Sequence, residues 1–213
     1  MRRIIAQRMQ RSLAETAQLT LHASADATAL VRLREARRAE GIAYDDLLLR
    51  ALALTLREHP RLNGWLVEDE LRLAERVDLG LAVALPEGLI VPVLRDAASL
   101  SLPEIAAERA RLVERARSGR LALSEVTGAT FTLTNLGMYR VESFTPILNA
   151  PQIATLGVGR IAPEARATAE GRVEARPTLR LSLTFDHRAL DGAPAAAFLD
   201  ALIGRLEAAE GLD

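Results

Sequence analysis

The chain has 213 residues, 49% hydrophobic and 26% charged, with a formal net charge of -1. That balance suits a globular chain and counts against nucleic acid or an anionic membrane as the main partner. Cysteine is absent, which excludes disulfides, thiolate zinc sites and thiol nucleophiles and fits a reducing, cytoplasmic setting.

In chain order, residues 2–17 place Ile4, Ile5, Met9 and Leu13 at helical spacing among Arg and Gln, the pattern of an amphipathic helix. Early positive charge without an apolar region behind it is not a secretory signal. Residues 19–25 alternate as a strand. Asp26 and Thr28 offer cap positions for a helix that Gly41 ends, and a Leu-rich helix follows from Tyr44 to Glu58, stopped by Pro60. Residues 64–67 and 70–73 suggest a hairpin. Residues 77–85 and 89–94 read as strands covered on both faces, split by the Pro86-Glu87-Gly88 turn. Residues 103–117 form a charged amphipathic helix whose Arg and Glu residues, Arg109 among them, are expected on its wet face. Strands are expected at 130–136, 153–158 and 179–185, a loop at 164–171, and a closing helix at 193–209. No apolar run reaches the roughly 18 residues of a membrane span. These elements alternate as one α/β domain with a mixed sheet.

The stretch Phe185-Asp186-His187-Arg188-Ala189-Leu190-Asp191-Gly192 ends a buried strand and opens a helix. His187 with Asp191 four residues on is a candidate acid–base pair. The plainer reading of this stretch, and the one it favours taken alone, is Asp191 as a helix cap and His187 as a core histidine. Phosphate-loop, dinucleotide and hydrolase-elbow motifs are absent, and His22, His59 and His187 lack metal-ligand spacing. Without a cysteine or an elbow serine, His187 is suited to deprotonating a substrate's own nucleophile. The hydroxyls of Thr132 and Thr134 are candidate oxyanion donors, with ordinary β-propensity as the plain alternative.

The His187 stretch resembles the D-H-R-x-x-D-G signature of dihydrolipoamide acyltransferases, the core subunits of 2-oxo acid dehydrogenase complexes. Residues 131–138 (Phe-Thr-Leu-Thr-Asn-Leu-Gly-Met), 144–152, 156–161, 78–93 and 3–9 are similar to the same family's motifs, in order along nearly the whole chain. The H-x-x-x-D-G core alone is shared with chloramphenicol acetyltransferases and condensation domains.

The resemblance implies a chloramphenicol acetyltransferase-like α/β fold: a mixed sheet packed with helices as a two-layer sandwich, assembled as a homotrimer with active sites between subunits. It implies acyl transfer between dihydrolipoamide and coenzyme A, with the lipoyl group brought by a separate lipoyl domain of a pyruvate dehydrogenase-type complex. His187 takes the position of the general base, Thr134 that of the oxyanion donor, and Asp191 a supporting position, with Arg8 as its candidate ion-pair partner. Arg34, Asn135, Gly159 and Ile161 fall at coenzyme A contact positions.

Residues 1–213 match the catalytic domain alone, without a lipoyl or peripheral-subunit-binding domain. The end of the chain, polar but for Leu212, departs from the apolar docking tail of most members. Arg140 stands where small residues often follow the Asn-Leu-Gly turn. That turn favours acetyl or branched-chain over succinyl transfer. A chloramphenicol-type enzyme with a hydroxyl acceptor and a noncatalytic scaffold subunit are the alternatives.

Overall fold

A computed structural model describes residues 2–167 and 171–213. Among these residues, five α-helices and ten strands follow in the order α1 (Arg2–Glu15), β1 (Gln18–Asp26), α2 (Thr28–Ala36), α3 (Tyr44–Glu58), β2 (Gly64–Val67), β3 (Glu70–Leu73), β4 (Leu79–Leu81), β5 (Val83–Leu85), β6 (Gly88–Ile90), β7 (Val93–Leu94), α4 (Leu102–Arg117), β8 (Phe131–Asn135), β9 (Ala154–Ala167), β10 (Val173–Asp186) and α5 (Gly192–Ala208). Six strands make one mixed sheet in the order β1-β10-β9-β8-β4-β7, while β2-β3 and β5-β6 are separate hairpins.

The register explains both faces of the sheet. Leu21, Leu183, Leu156, Leu133 and Leu81 stand directly opposite one another across five strands. Partners in a row share a face, and this row belongs to the core with Leu52, Phe131 and Phe198. Each fully buried Leu or Phe contributes about 1.5–3 kcal/mol. One residue along each strand, Thr20, Thr184, Thr155 and Thr132 form a polar row on the opposite face. Their hydroxyls are bonded, Thr20 to Thr184 at 2.7 Å and Thr132 to Gln152 Oε1 at 2.6 Å.

Residues 138–152 cross this polar face as a strap. The crossing is close: a Cβ on Gly157 would lie 3.1 Å from the Phe144 ring, and one on Gly159 would lie 1.8 Å from the Glu142 carbonyl oxygen. Gly157-Val158-Gly159 is therefore a seat for the strap, which is why the pair of glycines occurs outside any phosphate-binding motif. The far end of the strap is pinned at Trp65, whose Nε1–H donates to the Ala129 carbonyl at 2.9 Å and whose backbone bridges Gln152.

Several expectations change. The strands at 77–85 and 89–94 each break in two, because β5 and β6 leave the sheet as a hairpin while β4 and β7 stay in it. The hairpin is not covered on both faces, since Leu89 is 44% exposed. The expected loop at 164–171 is instead the end of β9 through Ala167, paired with β10; residues 168–170 lie outside the described residues. Arg109 is not on a wet face: its guanidinium reaches the fully buried Asp46 carboxylate, with Nη2 to Oδ2 at 3.1 Å. Asp46 also accepts the Ala43 N–H at 2.7 Å, so one carboxylate caps α3 and ties α4 to it. Leu212, at the polar chain end, is fully buried in the core of its own chain. No helix among the described residues is long and apolar enough to cross a membrane.

Candidate active site

The turn carrying His187 is built from its neighbours. Strand alternation sends Phe185 into the core and Asp186 to the polar face. Asp186, 1% exposed, accepts hydrogen bonds from the Ala17 and Arg188 backbone N–H groups at 3.2 and 3.1 Å. The Arg188 guanidinium closes on it with Nη2 to Oδ2 at 2.7 Å. Burial pushes the Asp186 carboxyl up, but the hydrogen bonds from Arg188 and Ala17 outweigh it and hold the group below the usual carboxylate range. The His187 N–H donates to the Ala17 carbonyl at 2.8 Å. The imidazole, 47% exposed, stands free above this frame, 5.9 Å from the Phe185 ring.

Asp191 sits at the N-cap of α5 with φ -79° and ψ 166°, yet its side chain makes no capping bond. Its carboxylate lies 4.0 Å from His187 Nδ1 and is 87% exposed, too far for a hydrogen bond. Within one chain the expected Arg8–Asp191 ion pair does not form among the described residues; Arg8 lines a groove under α1 with Asp186 and Arg188 instead.

The two threonine candidates separate cleanly. Thr132 is buried and its hydroxyl is committed to Gln152. Thr134 is half-buried and its hydroxyl has no partner among the described residues. Thr134 pairs with Gly157, and Gly157 with Ser182. Thr134 is therefore two strands across from β10 and level with a residue five positions before His187. At sheet spacings that is about 16 Å along the strands and about 10 Å across them. Thr134 and His187 do not meet within one chain.

Three of the four expected coenzyme A residues do meet. Asn135, Gly159 and Ile161 line one open groove of about 360 Å³ between the start of α3 and the turn after β8. Leu48, Val158 and Leu179 supply apolar wall. Arg34 reaches the rim: its guanidinium lies over the ring of Tyr44, itself a lining residue, at 5.6 Å. The asparagine is held on both sides. Its Nδ2 donates to Asp45 Oδ1 at 2.6 Å and its Oδ1 accepts the Gly137 N–H at 2.7 Å.

Some of this was absent from the sequence reading. Asp186 and Arg188 flank His187 two positions apart at the end of β10, so their pairing left a signal. Tyr44 and Asp45 left none, being about 90 positions from Asn135. His22, whose role the sequence left open, bonds Ser182 through Nδ1 at 2.9 Å. His59 presents its ring edge-on to Phe198 at 5.8 Å, a packing contact. No cluster of potential metal ligands occurs among the described residues.

Comparison with known proteins identifies the chain's relatives. The chain is 46% identical over 97% of its length to the dihydrolipoyllysine-residue acetyltransferase component of the acetoin cleaving system of Bacillus subtilis, and covers 54% of that protein. It is 37% identical over 99% of its length to the succinyltransferase component of the 2-oxoglutarate dehydrogenase complex of the same organism, covering 52% of it. The chain thus spans about half the length of these curated relatives. Among solved structures, the dihydrolipoamide acetyltransferase of Azotobacter vinelandii superposes with a TM-score of 0.94 at 36% identity, covering 99% of this chain and 90% of that one. A chloramphenicol acetyltransferase shares the fold at a TM-score of 0.60 and 15% identity, covering 94% of this chain and 92% of that one. A sequence profile of the 2-oxoacid dehydrogenases acyltransferase (catalytic domain) family matches residues 1–212. The chain belongs to that acyltransferase family and has the chloramphenicol acetyltransferase-like fold.

Proposed function

We propose that this chain is the catalytic core of a dihydrolipoyllysine acetyltransferase, moving an acetyl group between a lipoyl thiol and coenzyme A. The observation that carries the reading is a pair of functional groups, one on β8 and one just after β10, that have no hydrogen-bond partner among the described residues. The His187 imidazole and the Thr134 hydroxyl are both unengaged among the described residues, and they stand too far apart to serve one site in one chain. A second copy, placed so that its β10 turn faces the end of β8, completes the site. The assembly we assign is a homotrimer, whose cyclic symmetry gives every chain both neighbours it needs.

In that site His187 takes the proton from the attacking thiol, so that sulfur attacks the thioester carbonyl. The Thr134 hydroxyl donates to the oxygen that becomes negative, worth about 3 kcal/mol of the barrier. The proton on His187 then goes to the departing thiolate. Asp191, exposed and close to Nδ1, supports the imidazole once a neighbour covers it. The groove receives coenzyme A: its apolar wall suits the pantetheine methylenes, and Arg34 at the rim suits a phosphate. The acetyl assignment draws on the 46% identical acetyltransferase relative, against 37% for the succinyltransferase. The lipoyl group arrives on a separate lipoyl domain of a dehydrogenase-type complex.

The test is acetyl exchange between acetyl-coenzyme A and free dihydrolipoamide. The protein is expected to catalyse it, and His187→Ala to lose at least a thousandfold in kcat, within the range of general-base contributions of about 10²–10⁴. An inactive wild-type protein overturns the reading, and transfer to a hydroxyl acceptor alone favours a chloramphenicol-type activity.

A further inference from the structure

Among the described residues, Asp45 is the only acidic one lining the groove that holds Asn135. Its neighbour Asp46 is consumed by the α3 cap and Arg109, whereas Asp45 turns the other way, to Asn135. The two contacts of Asn135 fix which way its amide points. Flipped, it would set oxygen against the Asp45 carboxylate and N–H against the Gly137 N–H, losing both bonds. One Nδ2–H is used by Asp45 Oδ1, and the other is left over. Asp45 Oδ2 accepts no hydrogen bond among the described residues. A donor and a charged acceptor therefore stand side by side in a groove whose other walls are largely Leu48, Met138, Val158, Ile161 and Leu179.

This pair suits an amide. A peptide-like group offers one N–H and one C=O, and the Asp45–Asn135 pair offers an acceptor for the first and a donor for the second. The pantetheine arm of coenzyme A carries two such amides between apolar methylenes. We propose that Asp45 is a positioning and specificity residue for the thiol cosubstrate. It locks the Asn135 amide in its working orientation and accepts a pantetheine amide N–H at its second carboxylate oxygen. The inference rests on the groove being the coenzyme A site. An acid in the first turn of α3 also favours the helix dipole, but that contribution does not call for a bond to a residue 90 positions away.

The test uses the intact protein with Asp45→Ala and Asp45→Asn, measuring calorimetric affinity and the kinetics of acetyl exchange. Two probes are compared: coenzyme A, and adenosine 3′,5′-bisphosphate, which has the nucleotide end but no pantetheine arm. A hydrogen bond to a charged group is worth about 1.5–3 kcal/mol, so Asp45→Ala is expected to weaken coenzyme A about tenfold or more. Asp45→Asn, which retains a neutral acceptor, is expected to recover most of the affinity. KM for coenzyme A rises while kcat and KM for dihydrolipoamide stay within about twofold, and the bisphosphate binds all three proteins alike. Unchanged coenzyme A affinity in Asp45→Ala overturns the proposal and leaves the groove assignment standing. A parallel loss of bisphosphate binding overturns it in favour of a purely structural role. A wild-type protein that binds neither probe removes the groove assignment itself.

Discussion

Arg188 reaches back two residues to grip Asp186, and between them stands His187. The Asp186 side chain is buried and that of Arg188 is 42% exposed, so the pair closes the turn from the solvent side. Asp69, at the tip of the β2-β3 hairpin, lies 3.7 Å from Arg188 Nη1 and adds a weaker tether. Removing Arg188 leaves a buried carboxylate with backbone donors only. Arg188→Met is expected to cost about 2 kcal/mol in urea unfolding, below the usual figure for a buried pair because Arg188 is partly solvated. It should also lower kcat at least tenfold by loosening the turn under His187. A variant with unchanged stability and unchanged kcat would show that Asp186 does not depend on Arg188.

Separation of Thr134 from His187 makes a mixing experiment decisive. Thr134→Val and His187→Ala should each be nearly inactive alone. Unfolded together and refolded as mixed oligomers, they should regain activity at about a quarter of the interfaces, where an intact Thr134 meets an intact His187. Recovery is read in the acetyl exchange assay. If mixing restores nothing, the two residues do not act across a subunit boundary.

The strap imposes a steric demand that can be measured at Gly159. A methyl group there would collide with the Glu142 carbonyl, which is backbone and cannot swing aside. Gly159→Ala should lower the melting temperature and weaken coenzyme A binding together, since Gly159 also lines the groove. Gly204 makes the contrast. It lies within α5 with open space around it. Gly204→Ala should stabilise the protein by up to about 1 kcal/mol through helix propensity. Thermal melts of the two variants, moving in opposite directions, check both statements.

Acid sensitivity follows from Asp26. Burial opposes its ionisation, but hydrogen bonds from Thr28 and Arg176 prevail and lower its pKa from 3.8 to about 2. A carboxyl with a depressed folded pKa contributes stability above its unfolded pKa and loses it as pH falls through the folded value. The contribution of Asp26 is therefore complete above about pH 5 and fades between about pH 4 and pH 2. The stability gap between wild type and Asp26→Asn, from urea melts across that range, should shrink as pH drops. A gap that stays constant to pH 2 would contradict the depressed pKa.

Much of the fold was legible because burial writes a period into the sequence. Tyr44–Glu58 came out with its observed bounds, since Leu residues recur along it and Pro60 ends it. The outer halves of β9 and β10 were not legible. They form a two-stranded ribbon without a buried face, so no apolar alternation marks them, and cross-strand neighbours such as Glu174–Arg166 and Arg176–Glu164 look like loop composition. The site shows the same division. His187 and Thr134 stood out through motifs at the ends of buried strands. Asp45 did not, because a contact between a helix start and a distant turn leaves no pattern in either segment. Arg109 was misjudged for the same reason: its partner Asp46 is on another helix.

The chain has a single tryptophan, and Trp65 is bonded where the β2-β3 hairpin, the end of the strap and the start of β8 converge. Its indole fluorescence is thus a built-in reporter of one junction instead of an average over many. A ligand that lifts the strap from Gly157 and Gly159 should change the emission, whereas events confined to the helical layer should leave it dark. Movement at that junction can therefore be followed without any added label.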